Sequence, residues 1–355
     1  FVLPYLLFSG IAGQFADRLA KASLIRVVKG SEVAIMSIAG AGFATQQLPL
    51  LLGAVFLMGL HSTFFAPAKY GLLPQVLRDG ELVGGNALVE MGTFVAILLG
   101  TLAAGELAGS AGTAVLVGLM HGVALLGLLA SLAMPRLPAV APGLSIDWNP
   151  WRSGWAAVRA ALESLTMFLS ILGISWFWAY GALVLAQLPI YSRVVLNADE
   201  RVLTLLLVLF SIGVAVGSLL CERLSGRKVE IGLVPFGSIG LTVFALDLYF
   251  ATPLVPAAAT QTAATFLAAP HGWRILADLG LLGVFGGLFI VPLYAMVQQR
   301  SPRDQVSRIQ SANNIINALF MVVAAGVGAL SVDAGVSVPQ VLLFAGNALG
   351  TQDFG

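Results

Sequence analysis

Residues 48–74 read LPLLLGAVFLMGLHSTFFAPAKYGLLP. From Leu48 to Leu60 nothing is charged, and the run then closes on Phe64, Phe65, Pro67, Lys69, Tyr70 and Pro74. An apolar segment of this length has no polar face to turn toward water. Its closing chemistry suits the border between hydrocarbon and water, with a tyrosine anchor and a lysine whose stem lies in the apolar layer while its ammonium stays wet. Proline cannot continue a helix, so Pro67 and Pro74 are expected to stop this one at the cytoplasmic face.

The rest of the chain has the same character. Of 355 residues, 58% are hydrophobic and 10% charged, against roughly 25% charged in soluble domains. Lipid is the solvent that suits such a chain. The net charge is +1 and no basic tract stands out, so no nucleic-acid partner is expected. Cys221 is the only cysteine, which excludes an internal disulfide and a cysteine zinc site. No cofactor, metal site, nucleophile–base pair or phosphate-cradling loop is expected.

A helix needs about 20 apolar residues to cross the hydrocarbon core. Such runs cover 1–16, 26–44, 48–68, 82–108, 113–133, 164–191, 202–221, 230–250, 273–297 and 310–331, and a shorter run covers 337–350. They are too long and too uniformly apolar for barrel strands, which alternate, and in lipid only helices and closed barrels satisfy their backbone groups. The fold class is therefore all-α, a membrane protein. Alternate loops hold 15 and 3 of the lysines and arginines, the poor side having only Arg193, Arg201 and Arg274. The rich side is cytoplasmic by the positive-inside rule. By this rule Phe1 is expected to begin on the outer side, in a span running inward, so that one span is expected before it if the intact chain starts inside.

The two halves resemble each other. FADRLAK (15–21) and LCERLSGRK (220–228) each follow a span, and FFAPAKYGLLPQ (64–75) matches FIVPLYAMVQQ (289–299). Each of the latter leads to an asparagine-headed segment, NALVEMGTF (86–94) and NNIINALF (313–320), after 19 residues from Pro67 and 21 from Pro292. Parallel repeats in a helical membrane protein point to a transporter. Between the halves, WNPWRSGWAAVRAALES places Trp151, Trp155, Val158 and Leu162 at helical spacing. A helix lying in the membrane interface accounts for this, and a plain polar linker is the alternative.

Gly13-Gln-Phe-Ala-Asp17-Arg18-Leu-Ala-Lys21 occupies the first cytoplasmic loop. A small residue permits the tight turn, and an acid there can face the positive N-terminal end of a neighbouring helix. The stretch resembles the loop signature of the major facilitator superfamily, G-x-x-x-D-R-x-G-R-K, and departs from it at Ala20 and Ala22; Ser218 replaces the corresponding glycine in the second half. The resemblance implies a gating motif of Gly13, Asp17, Arg18 and Lys21, with Glu222 and Arg223 as its counterpart. The alternative is a loop that is merely positive inside. The superfamily fold has two six-helix bundles. It implies an N-terminal bundle over 1–133 (spans 2–6 of the intact count), a cytoplasmic linker with an interfacial helix over 134–163, and a C-terminal bundle over 164–355 (spans 7–12). The first span and part of the last are then expected to be lacking.

AKYGLLPQVL (68–77), ELVGGNALVEMGTFVAILLGTLAAG (81–105), GSLLCERLSGRKVEIGLVPFGSIGLT (217–242) and PLYAMVQQRS (292–301) resemble the bacterial lysophospholipid transporters. These carry 2-acyl-glycerophosphoethanolamine inward across the inner membrane for re-acylation. The likeness extends to the form fused to an acyltransferase and an acyl-carrier-protein ligase, whose motifs (H-x-x-x-x-D and an adenylate-forming loop) do not occur here. The resemblance implies a transporter and not an enzyme, with lysophospholipid as substrate, membrane lipid around it, and such an acyltransferase and ligase as partners.

Ionisable residues inside spans are costly and are functional candidates by default. Glu90, one turn after Asn86, heads the candidates for substrate contact. Asn313, Asn314 and Asn317 mirror that pair, as donors to a phosphate or as interhelical glue. Trp178 and Tyr180 could face an ammonium or simply pack. Lys29 and Glu32, His61 and Ser62, and Asp247 and Asp278 complete the set, the last two serving the outer loop. Two other functions compete: a proton-coupled efflux pump for amphipathic compounds, with Glu90 titrating, and a non-transporting scaffold for lipid-synthesis enzymes. The span around LLGTLAAGELAG lacks the proline of the G-x-x-x-G-P-x-x-G-G run common in drug pumps.

Overall fold

The computed structural model describes residues 1–110, 112–226, 228–333 and 335–347. Among them are thirteen α-helices and no strand, only a single bridge between Ala198 and Gln261. The helices are α1 (Leu3–Arg18), α2 (Lys21–Thr45), α3 (Leu48–Val76), α4 (Leu82–Ser110), α5 (Thr113–Leu132), α6 (Pro150–Leu162), α7 (Leu165–Ile190), α8 (Glu200–Leu224), α9 (Leu233–Ala251), α10 (Ala263–Ala268), α11 (Pro270–Arg300), α12 (Val306–Asp333) and α13 (Val338–Asn347). Nine of them, α2–α5, α7–α9, α11 and α12, are long and apolar enough to cross a membrane. The expected first span is the exception: α1 has 16 residues, about 24 Å of helix against a hydrocarbon core of about 30 Å.

These helices are apolar outside as well as inside. Along α5, Val115, Leu119, Val123, Leu126 and Leu129 are all exposed, a surface that belongs in hydrocarbon and not in water. One expectation fails here. Pro67 and Pro74 do not end α3, which runs through both to Val76. In lipid, opening the helix would strand several backbone groups without water, whereas a proline inside it forfeits one hydrogen bond. Pro292 is likewise carried inside α11.

By packing, the chain divides into two units. The first comprises Phe1–Leu77, Ala103–Leu172 and Val297–Leu319. In it α1 packs on α3 and α6, and α2 on α3 and α5. The Arg26 guanidinium donates to the carbonyls of Ser131, Leu132 and Met134 at 3.3, 3.2 and 3.1 Å, satisfying the acceptors left over where α5 ends. The segment 150–162 is a helix, as its tryptophan spacing predicts. Asn149 caps it by accepting from the N–H groups of Trp151 and Arg152. Its small residues Ser153, Gly154, Ala157 and Ala161 are buried while Trp151 and Trp155 are exposed, a two-faced pattern.

The second unit comprises Arg78–Leu102, Gly173–Met296 and the described chain from Phe320 on. Its centre is the α8–α11 contact, where Gly213 and Gly217 of α8 meet the backbone of Gly280, Gly283 and Val284, and Gly287 meets that of Ser218. Small residues at four-residue spacing let the two backbones approach, which is how helices associate where the hydrophobic effect is absent. Outside the spans, Gln261 donates to the Leu196 carbonyl and Asn197 to that of Ala257, pinning the 252–262 loop. Arg274 of α11 forms a two-pronged pair with Asp247 of α9.

Candidate functional site

The most connected polar group of the first unit is Asp17. It sits at the C-terminal end of α1, fully buried. Its carboxylate accepts from the backbone N–H of Ser307 at 3.2 Å and of Arg308 at 3.3 Å. The Arg308 Nε–H donates to it at 3.2 Å, and the buried Lys21 ammonium lies 3.8 Å away. Ser307 and Arg308 are the second and third residues of α12, so their N–H groups have no partner inside that helix. A carboxylate at this end meets both the orphan donors and the positive end of the helix dipole. Gly13, one turn before Asp17, makes the approach possible: a Cβ there would lie within 2.9 Å of the Ser307 carbonyl and Arg308 Cα. Gly71 of α3 closes the same spot against Ser307 and Lys21. Arg18 is exposed and stands outside this cluster.

The second unit repeats the device. Glu222 projects from the end of α8 onto the first turn of α4, where its carboxyl carbon lies 2.8 Å from the position a Cβ on Gly84 would take. Gly84 is the third residue of α4, as Arg308 is the third of α12. In each unit, then, an acid at the end of one helix lies against an early turn of another. Arg223 is exposed beside it.

Beyond each N-terminal turn the candidate polar residues follow. Asn86 and Glu90 are fully buried on α4, and the Asn86 amide donates to the Leu82 carbonyl at 2.8 Å. Phe94, one turn on, stacks on Trp178 of α7 at 5.9 Å, and the Trp178 indole donates to the Tyr294 hydroxyl of α11 at 2.9 Å. Tyr180 goes elsewhere. It stacks on Trp176 at 5.1 Å and is buried, with its hydroxyl toward Gly346. Trp178 and Tyr180 therefore do not form one aromatic wall; two residues apart on a helix, they leave it on different sides. Phe94 and Tyr294 are the residues that sequence reasoning did not select, and the helical register of Phe94 after Glu90 is the signal that finds the first.

In the first unit, Asn313 and Asn314 are buried on α12, and Asn317 follows one turn after Asn313. Neither amide atom of Asn313, nor the Asn314 amide nitrogen, has a hydrogen-bond partner among the described residues. Gln310, one turn before, is buried and its amide nitrogen is likewise unsatisfied. Buried amides without partners are uncommon and mark a place for a ligand or ordered water. Three further residues, read separately in the sequence, converge. Lys29 and Glu32 of α2 pair at 2.6 Å, and His61 of α3 brings its Nε2 to 3.4 Å from the Glu32 carboxylate. Phe65 stacks under His61 at 5.9 Å and takes the Lys29 ammonium on its face at 5.0 Å. The signal for this trio is the presence of three ionisable residues inside two apolar spans. No group of three or more metal-ligating side chains occurs among the described residues.

The family model of the Major Facilitator Superfamily matches residues 1–325. The chain belongs to the Major Facilitator Superfamily. It is 31% identical over 342 residues to a Klebsiella pneumoniae protein named lysophospholipid transporter LplT, covering 95% of this chain and 79% of that one. A Serratia proteamaculans protein of the same name is 30% identical over 308 residues, covering 84% and 69%. Among solved structures, the Major Facilitator transporter FucP in the outward conformation aligns with a TM-score of 0.72 at 11% identity, covering 98% of this chain and 86% of that one. A bacterial homologue of the iron transporter ferroportin in an outward-facing state aligns at 0.67 with 16% identity, covering 98% and 86%. At such identities the structures speak for the fold, and this is an all-α, multi-pass membrane protein of the Major Facilitator fold.

Proposed function

We propose that this protein transports a single-chain phospholipid, of the 2-acyl-glycerophosphoethanolamine type, across the bacterial inner membrane by alternating access. The observation that carries the proposal is the 31% identity, over 95% of the chain, to a relative named as a lysophospholipid transporter. The site chemistry supports it. A zwitterionic headgroup needs hydrogen-bond donors for phosphate and an acid or aromatic face for ammonium. Within the first unit, Asn313, Asn314 and Asn317 are the candidates for phosphate contact; within the second, taken by itself, Glu90 and Trp178 are the candidates for ammonium contact, with Asn86 beside Glu90 and Tyr180 packing elsewhere. Asp17 with Gly13 and Lys21, and Glu222 as its counterpart, are assigned to gating, with Arg18 and Arg223 as exposed charges that hold the loops inside. An imported lysophospholipid calls for re-acylation, so an acyltransferase and its acyl-donating ligase are the partners assigned to the cytoplasmic side.

The test is uptake of labelled lysophosphatidylethanolamine by bacterial spheroplasts carrying the protein, with and without a protonophore, for the unmodified chain and Glu90→Gln. Uptake that survives the protonophore and falls in Glu90→Gln is the expected result. Uptake abolished by the protonophore favours proton coupling, and no uptake above protein-free spheroplasts overturns the proposal.

A further inference from the structure

Within the first unit, α6 rests on both helices that the Asp17 contact joins. Gly10 of α1 meets it backbone to backbone: a Cβ there would run into the Gly154 nitrogen and the Ser153 carbonyl. From the other side, the Ile315 side chain of α12 reaches to 3.4 Å from where a Cβ on Gly154 would stand. Gly10 lies about two turns from Asp17, and Ile315 about two turns from Arg308. The segment entering α6 is tied to α1 as well. The Asp147 N–H donates to the Gln14 side-chain oxygen at 2.7 Å, and the Ala141 N–H to the Asp17 carbonyl at 3.0 Å. Trp148 packs edge-on against Phe15 at 5.6 Å. To part α1 from α12 is therefore to pull α6 away from one of them.

The surface that α6 turns outward is sorted. At about 100° per residue, Trp151, Trp155 and Leu162 fall within about 40° of one another, and all three are exposed. Arg152 and Arg159, also exposed, stand in the next sector, about 70° further round. The buried Ser153, Ala157 and Ala161 lie opposite the arginines. With Trp148, three indoles stand 69, 73 and 64% exposed on one short stretch. Water gives no reason to hold such rings out, or to separate them from the arginines. A bilayer surface gives both: indoles settle at headgroup level, and guanidinium groups beside them meet phosphates. The level is right too. Helix α7, long and apolar enough to cross a membrane, begins at the exposed Leu165, three residues after α6 ends.

We propose that α6 is a lipid-bound brace: its tryptophan sector lies in the headgroup layer of the bilayer, and its buried face thereby holds α1 against α12. The partner of the exposed face is the membrane surface itself. Lipid contact there strengthens the tie made by Asp17, whatever molecule the protein moves, so the proposal goes beyond the transport reading and does not rest on it.

The test uses the whole chain, with Cys221→Ser, in vesicles of phosphatidylethanolamine and phosphatidylglycerol. Spin labels are placed singly at Trp155→Cys, in the tryptophan sector, and at Ala156→Cys, exposed on the arginine side. Their collisions with oxygen, which prefers lipid, are compared with those of a nickel chelate, which prefers water. Expected is oxygen dominating at 155 and nickel at 156. The same preference at both positions overturns the proposal; nickel at both leaves the face to a protein partner. The brace is read from a Ser311→Cys thiol, buried against Gly13, reacting with a water-soluble maleimide. Trp151→Ser with Trp155→Ser alters only exposed side chains. It is expected to speed that reaction about three- to tenfold, what half the burial of one large apolar side chain is worth. Ala156→Ser should leave the rate unchanged. An unchanged rate in the double tryptophan variant overturns the brace even where 155 is found in lipid.

Discussion

Replacing Asp17 by asparagine keeps the size of the side chain and removes its charge. The carboxylate accepts three hydrogen bonds and faces two cations, Lys21 and Arg308, from a position without solvent exposure. Asparagine offers one acceptor oxygen and presents an amide donor to the remaining N–H groups. Breaking a fully buried ion pair costs about 3–5 kcal/mol. Because the Arg308 side chain is 25% exposed, water recovers part of its charge and the lower end, about 3 kcal/mol, is the better figure. That corresponds to a shift on the order of a hundredfold in the population where α1 has left the N-terminus of α12. The opening can be read at Ser311, buried against Gly13. In a Cys221→Ser background, a Ser311→Cys chain should react with a maleimide on the order of a hundredfold faster when Asp17→Asn is added, because modification tracks the opened population. A double-mutant cycle with Arg308→Gln should show strong coupling. An unchanged labelling rate, or strictly additive effects, would refute the assignment of Asp17 as the tie between these helices.

Gly13→Ala should destabilise the protein by about 1–3 kcal/mol, since its Cβ has backbone on the far side; Gly30→Ala, which has open space, should leave the melting temperature in detergent unchanged. Glu222→Gln should cost less than Asp17→Asn, about 1–2 kcal/mol, because the loss is chiefly of a charge at a helix N-terminus, and side-by-side thermal melts of the two variants test the order. Just before α6, the Arg152 guanidinium beside Asp147, at 2.5 Å, holds that carboxyl below the usual carboxylate range. A depressed folded-state value means the contribution is full above the unfolded value, near 3.9, and fades as pH falls through the lower folded one. Trp148 fluorescence, reporting on its contact with Phe15, should change in that acid window, and Asp147→Asn should abolish the change.

Much of this was legible in the sequence because lipid simplifies the problem. With no water to satisfy a bare backbone, an apolar run of 20 residues is a helix, and the nine long helices fall where the runs do. The same simplification misled at Pro67 and Pro74, where a rule learned in water expects an end and the cost of an open backbone in lipid overrides it. Asp17 was readable because the stretch from Gly13 to Lys21 resembles the superfamily signature, in which an acid can face a helix N-terminus, although Gly13 and Asp17 lie in the last turns of α1 and not in the expected loop. Which helix it meets was not, since residue 17 gives no sign of residues 307 and 308. The Lys29–Glu32–His61 trio was hidden for the same reason: the α2 pair is local, but His61 arrives through the packing of α3. That Trp178 and Tyr180 part ways was available from helical spacing alone.

Reconstitution decides whether the chain moves a single-chain phospholipid. Labelled lysophosphatidylethanolamine and labelled diacyl phosphatidylethanolamine are each followed across the membrane of proteoliposomes, with protein-free liposomes as reference. Protein-dependent movement of the single-chain lipid alone is the predicted result. Movement of both lipids alike, or of neither, would contradict it.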